Sequence, residues 1–224
     1  MTTDPQKPFL TSLILTPALI TLAVTVLRLI GELQHWSPRF FSREAGGAGA
    51  VVGIVWLVPI FAVYFAWKLA KASLAPGAGR VIAHGAVSFG LMVLTIVVGH
   101  QTIPSQRAQF GVYLVASVIA AWIAYRGWPA LGRTLLLYGL AARIPVALVM
   151  LVAIYANWGT HYDVPPPNFP EMAPLPKWFM IGFLPQMFMW IPFTIYLGTL
   201  FGGFALLAAG RRREGRTAGT PGFA

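Results

Sequence analysis

Cysteine is missing altogether from this 224-residue chain. That absence removes disulfides, thiolate nucleophiles, iron–sulfur clusters and thiolate zinc sites together. Charge is scarce as well. Only 10% of the residues are charged, against about 25% in an ordinary soluble domain, while 57% are hydrophobic and the mean hydropathy is +0.71. So few charges cannot cover a water-soluble globule of this size, and lipid must solvate much of the chain. Acids are scarcest: six Asp and Glu stand against 16 Lys and Arg, a net charge of +10. The basic residues sit at the ends of apolar runs and are not gathered on a polar domain. They read as membrane orientation and attraction to anionic lipid at the cytoplasmic face, with no nucleic acid as partner.

Catalytic signatures are also lacking. No G-x-S-x-G, H-E-x-x-H, P-loop or dinucleotide fingerprint occurs, and no pair of intramembrane aspartates. No cofactor is expected, and the balance leans away from an enzyme.

What is present is a succession of apolar stretches near the length of about 20 residues that a spanning helix needs. They cover residues 9–30, 48–70, 81–103, 110–125, 131–156 and 189–209. The expected fold is therefore all-α: a polytopic bundle of six transmembrane helices over residues 1–210, with no soluble domain. Pro185 and Pro192 interrupt the last apolar stretch, and proline removes a backbone donor. The last span is expected to be kinked or broken there, with a short interfacial helix over 178–187 ahead of the span at 189–209. Residues 211–224 are basic, then glycine-rich, and are expected to form a disordered cytoplasmic tail. The pair Gly198 and Gly202, four apart, allows close helix approach within the bundle.

Short-loop Lys and Arg set the orientation. With the N-terminus in the cytoplasm, the inner set is Lys7, Lys68, Lys71, Arg80, Arg126, Arg133, Arg211, Arg212, Arg213 and Arg216. The outer set is Arg39, Arg43, Arg107 and Lys177. Ten against four puts both termini inside, in a plasma or inner membrane. The two long connections, 31–47 and 157–177, then face outward. The second carries six prolines and should be extended and stiff. With Trp158, Tyr162, Phe169 and Trp178, it is a candidate docking surface for a protein partner.

Four polar residues stand out near the spans. Arg28, Glu32 and His35, at spacings of four and three, share one helix face near the outer end of the first span. An interfacial ion pair is the plain reading of these three, and an outer polar cavity the sharper one. Arg143 lies 12 residues into the fifth span, roughly 18 Å along it. A charge there costs about 2.5–3.5 kcal/mol on insertion scales, so a partner is expected. Glu32 is the one acid near the outer half of any span, which predicts an Arg143–Glu32 contact.

A second outer-face polar group is His100, His161 and Asp163. Imidazole and carboxylate suit zinc, but no local ligand spacing supports a metal site and none is assigned. His84 and His100 are 16 residues apart on one helix, about 24 Å along its axis, and cannot share a metal.

Three functional classes follow, in this order. The first is a non-catalytic membrane subunit or accessory protein with an outward interaction loop. The second is a small transporter or permease with an outer vestibule of Arg28, Glu32 and Arg143. The third is a membrane enzyme acting on a lipid or quinone-like substrate, with Glu32 or His35 as base.

Overall fold

The computed structural model describes residues 6–47 and 49–218, and the side chains of residues 10–47 and 49–210. The protein is all-helical, and the described residues contain no strand. Five helical stretches are long and apolar enough to cross a membrane: Leu10–Leu33, Ala78–Thr102, Gln106–Gly127, Pro129–Ala156 and Pro174–Gly210. They belong to α1 (Gln6–Leu33), α3 (Ala78–Thr102), α4 (Gln106–Gly127), α5 (Pro129–Ala156) and a composite last helix.

The stretch expected as the second span forms a shorter helix than 48–70 allows. Helix α2 runs Leu57–Lys71, 15 residues. Ahead of it, Gly46, Gly47 and Gly49 all have positive φ, which helical backbone cannot use. Pro59 sits in the first turn of α2, where its missing N–H would be unpaired in any case. Ala48 lies outside the described residues.

The last helical stretch differs from its expectation in another way. In place of a short helix, a break and a span, helical backbone continues from Pro174 to Gly210 and beyond. It begins as α6 (Pro174–Trp178) and ends as α7 (Ile191–Ala218), with π-helical turns Phe179–Phe183 and Gln186–Trp190 between them. Each π-turn closes immediately before a proline. The Leu184 N–H bonds to the Phe179 carbonyl ahead of Pro185, and the Ile191 N–H bonds to the Gln186 carbonyl ahead of Pro192. The wider turn takes up the ring and the lost donor without breaking the rod. The backbone of α7 is helical to Ala218. The remainder of the tail expected to be disordered, residues 219–224, lies outside the described residues.

The chain divides into two compact units. One consists of Met1–Leu57 and Leu136–Pro192. Its apolar core joins Val146, Met150, Ala153 and Tyr162, with Leu29, Ile54, Trp158 and Trp178 packed around them.

The other consists of Val58–Leu135 and Phe193–Ala224. Close backbone approach organises it. A Cβ added at Gly85 would stand 2.7 Å from the Leu200 Cα, so only glycine lets these two helices meet. Gly198 and Gly202 face the side chains of Leu135 and Leu131, so this small-residue pair is used in packing inside the unit. The Trp128 indole donates to the Leu74 carbonyl at 2.8 Å, and Arg80 donates to the Arg126 carbonyl at 3.0 Å. These two bonds tie the α2–α3 and α4–α5 turns together.

Candidate functional site

Among the described residues, the buried ionisable groups of the first unit gather in two places. The outer one starts on α1. Arg28 and Glu32 are one turn apart, and Arg28 Nε donates to Glu32 Oε1 at 2.8 Å. Glu32 is fully buried. The turn that follows α5 supplies the rest. The backbone N–H of His161 donates to Glu32 Oε2 at 2.9 Å, and its Nδ1–H donates to Glu32 Oε1 at 2.5 Å. Both carboxylate oxygens of Glu32 are therefore occupied.

The turn itself is built by Asp163. Its carboxylate accepts from the Gly159 N–H at 2.9 Å, the Thr160 N–H at 2.8 Å and the Thr160 hydroxyl at 2.7 Å. This is a side-chain-capped turn of the kind aspartate forms with the residues just before it. Gly159 has φ +65°, as the turn requires. The Tyr162 hydroxyl then donates to the Thr25 carbonyl at 3.3 Å, and its ring packs 3.9 Å from that of His161.

The long connection between α1 and α2 closes the cluster. Arg28 Nη2 donates to the carbonyls of Gly47 at 3.1 Å and Ser42 at 3.4 Å. Gly47, at φ +69°, lies so close that a Cβ there would run into the Arg28 guanidinium and the His161 ring. Burial is the main reason that the His161 imidazole is held below its ordinary pKa. Arg28 lowers it further, while Glu32 and Asp163 pull it back up. Burial likewise pushes the Tyr162 hydroxyl above the usual tyrosine range, with Glu32 adding to the rise.

The inner place is centred on Arg143. The residue is 4% exposed. Its Nη1 donates to Gln186 Oε1 at 3.5 Å, and its guanidinium carbon lies 4.7 Å from the centre of the Trp190 ring. Gln186 Nε2 in turn reaches the Met150 sulfur at 3.7 Å. Tyr138 and Tyr162 lie within electrostatic reach. Thr21 gives its hydroxyl proton to the Pro17 carbonyl at 2.8 Å, so the 2.8 Å bond between Thr21 and Tyr138 is donated by Tyr138. The Trp178 indole donates to the Ala147 carbonyl at 2.7 Å.

Set against the sequence expectations, the structure joins Arg28 with Glu32 but leaves His35 out. Helix α1 ends at Leu33, and His35 is exposed with φ +53°. The expected Arg143–Glu32 contact does not form. Glu32 is taken by Arg28 and His161, and among the described residues Arg143 has no ion pair. The outer trio also separates. His161 joins Glu32, Asp163 shapes the turn, and His100 lies exposed on the last turn of α3 in the other unit. Among the described residues, no group of three His, Asp or Glu side chains is disposed to hold a metal ion.

Of the four aromatics of the outer loop, Tyr162 is buried, and Trp158, Phe169 and Trp178 are half-buried. They belong mainly to the core. The exposed part of the loop is its proline-rich run, including Pro166, Pro167, Asn168, Pro170 and Glu171.

Sequence reasoning missed Gln186, Trp190 and Gly47. Gln186 did carry a signal, as the sole amide in an apolar stretch between two prolines. Gly47 looked like any other glycine in a loop.

Comparison of the chain with protein-family models, with curated proteins and with solved structures returned no match.

Proposed function

We propose that this chain is a non-catalytic subunit or accessory protein of a plasma or inner membrane, crossing it six times with both termini in the cytoplasm. The observation that carries the non-catalytic reading is the saturation of its buried acids. Glu32 accepts three hydrogen bonds and Asp163 accepts three. A general base needs a lone pair facing the substrate's proton, and every oxygen of both carboxylates is already engaged by a donor of the protein. Their role is to fix the outer loops.

What supports the sixth crossing is chain direction. Glu32 near the end of α1 meets His161 just beyond the end of α5, so α1 and α5 run the same way. Helices that run the same way have an odd number of crossings between them. With α3 and α4 counted as two, α2 with the irregular residues 50–56 is the segment available for the third. Lys and Arg counts then put the termini on the cytoplasmic side. Single-cysteine labelling at Asn168 and Ser105 from outside, and at Ser73 from inside, is the expected pattern. The reverse pattern would overturn the orientation.

The partner surface in this reading is the exposed proline-rich run at 165–176, a stiff and pre-ordered segment. Photo-crosslinkers placed at Asn168 and Glu171 in native membranes should yield one discrete protein adduct. Adducts with lipid alone would remove the partner from the proposal. A second reading, a small permease, is favoured by one observation: Arg143 is buried at mid-span with a neutral acceptor and an aromatic ring as its contacts.

A further inference from the structure

An arginine keeps its charge at any physiological pH. Arg143 is the fifteenth residue of a 28-residue helix, at its middle. There it needs either a counter-ion or water. The described acids are Glu32, Glu44, Asp163 and Glu171. The first and third are consumed in the outer cluster, and the other two are exposed on outer connections. Tyr138 and Tyr162 are hydroxyl donors to Thr21 and to the Thr25 carbonyl, and so are not anions. One N–H of Arg143 reaches Gln186, over a long 3.5 Å. Its guanidinium has five in all. The Nε and Nη2 edge, the side that a carboxylate engages with two parallel bonds, makes no hydrogen bond to the described residues, and it is not sealed: the one fully buried side-chain polar atom without a partner among them is Thr199 Oγ1.

The backbone around Arg143 is irregular on both sides. Gln186 and Trp190 are the first and last residues of one π-turn, a feature concentrated at functional sites. Pro145, two residues beyond Arg143, leaves the Ala141 carbonyl without its usual helical donor. Interrupted helices around a mid-depth charge are how carriers build ligand sites. From Arg143 towards the outer end of α5, the neighbouring groups are apolar: Val146, Met150 and Ala153, with Trp178 beside them. A strongly hydrated anion would lose its water there without replacement.

We propose that Arg143 is a binding site for a carboxylate carried on an apolar body, such as a medium-chain fatty acid. The carboxylate lies on the Nε–Nη2 edge, Gln186 and Trp190 hold the guanidinium in place, and the apolar body leaves along the half-buried Trp178, whose indole is tied to the Ala147 carbonyl one turn from Arg143. This goes beyond the accessory role and does not depend on the proline-rich run binding a partner.

The test uses the full chain purified in mild detergent. Decanoate, below its micellar concentration, is compared with decanol and with inorganic phosphate by thermal unfolding. Decanoate should raise the unfolding midpoint in a saturable way, and decanol should not. Equal protection by decanol would show chain partitioning in place of a carboxylate site and would overturn the proposal. Protection by phosphate as strong as by decanoate would overturn the apolar half of it. Vesicles of phosphatidylglycerol supply the lipid-phosphate arm, and competition by them that abolishes decanoate protection would reassign the site to a lipid headgroup.

With carboxyl-labelled decanoate followed by carbon NMR, Arg143→Lys should weaken binding about tenfold, since an ammonium cannot make the paired contact. Arg143→Gln should abolish it. Unchanged binding by a folded Arg143→Gln protein would sink the site. If that variant does not fold, the decanoate, decanol and phosphate comparison on the wild-type chain decides alone.

Discussion

Two buried charges in one unit have been treated in opposite ways. Glu32 is an anion with both oxygens engaged, by three donors in all. Around it stand an arginine, a histidine and, through Arg28, two loop carbonyls, with the cluster sealed by a glycine that leaves no room. Arg143 is a cation with one long hydrogen bond, one aromatic face and an unused edge. The difference separates charge used as a fastener from charge held in reserve. A saturated network rigidifies what it touches, while an unsatisfied buried charge is costly and persists where something else compensates it.

The largest test of this contrast is Glu32→Ala. It leaves the Arg28 Nε and two His161 donors unpaired in a buried place, and folding stability should fall by about 3–5 kcal/mol. The folded, monodisperse fraction after detergent extraction reads this directly, and an unchanged yield would show that the cluster fastens nothing. Arg143→Met should behave in the opposite way. Removing an uncompensated charge in favour of an apolar side chain of similar length should leave stability unchanged or raise it by about 1–3 kcal/mol. A fall as large as that of Glu32→Ala would mean that Arg143 is a fastener too, and the contrast would collapse.

Asp163→Ala sharpens the outer half of the comparison. Its carboxylate orders the turn that aims His161 at Glu32, so losing its three hydrogen bonds should reduce stability by about 1–3 kcal/mol in thermal unfolding. Gly47→Ala tests the seal. Left-handed backbone alone costs an alanine about 1–2 kcal/mol, and contact with the Arg28 guanidinium adds to that. Gly46 shares φ +69° with nothing within 4 Å of its would-be Cβ. Gly46→Ala therefore isolates the backbone share, and equal losses at both positions would show that Gly47 seals nothing.

The smallest effect is one of pH. His161 is held below its ordinary pKa of 6.5, chiefly by burial, so the unfolded chain binds its proton more readily. Stability is then complete above about 6.5 and declines as the pH falls from there through the folded-state value. Midpoints measured between pH 8 and pH 5 should drop on the acid side, and His161→Gln should flatten that slope. Arg143 does not titrate in this range, so Arg143→Met should leave the slope untouched.

Much of the architecture was legible because long apolar runs leave few choices. Apolar runs of spanning length must be helices, since a backbone in hydrocarbon has to satisfy itself. The runs at 81–103, 110–125 and 131–156 each became a helix within a few residues of the expected bounds. The proline-containing last run was harder to read. Pro185 and Pro192 announced an interruption, but whether the chain breaks or widens into π-turns depends on what packs beside it. Arg28 with Glu32 was readable from i,i+4 spacing. His161 was not, because no local pattern ties it to a residue 129 positions earlier.

Composition and apolar length alone therefore determined the helical class and the approximate positions of the long apolar helices. These follow from the free energy of moving each residue and its backbone out of water, a property summed along the chain. Tertiary structure alone decided which charge meets which partner. Glu32 had two arginines and a histidine to choose from. The Asp163 turn carries His161 to it, Gly47 closes the space around it, and Arg143 is left without it. Those outcomes depend on distances of 2.5–3.5 Å between distant segments, which spacing along a sequence does not encode.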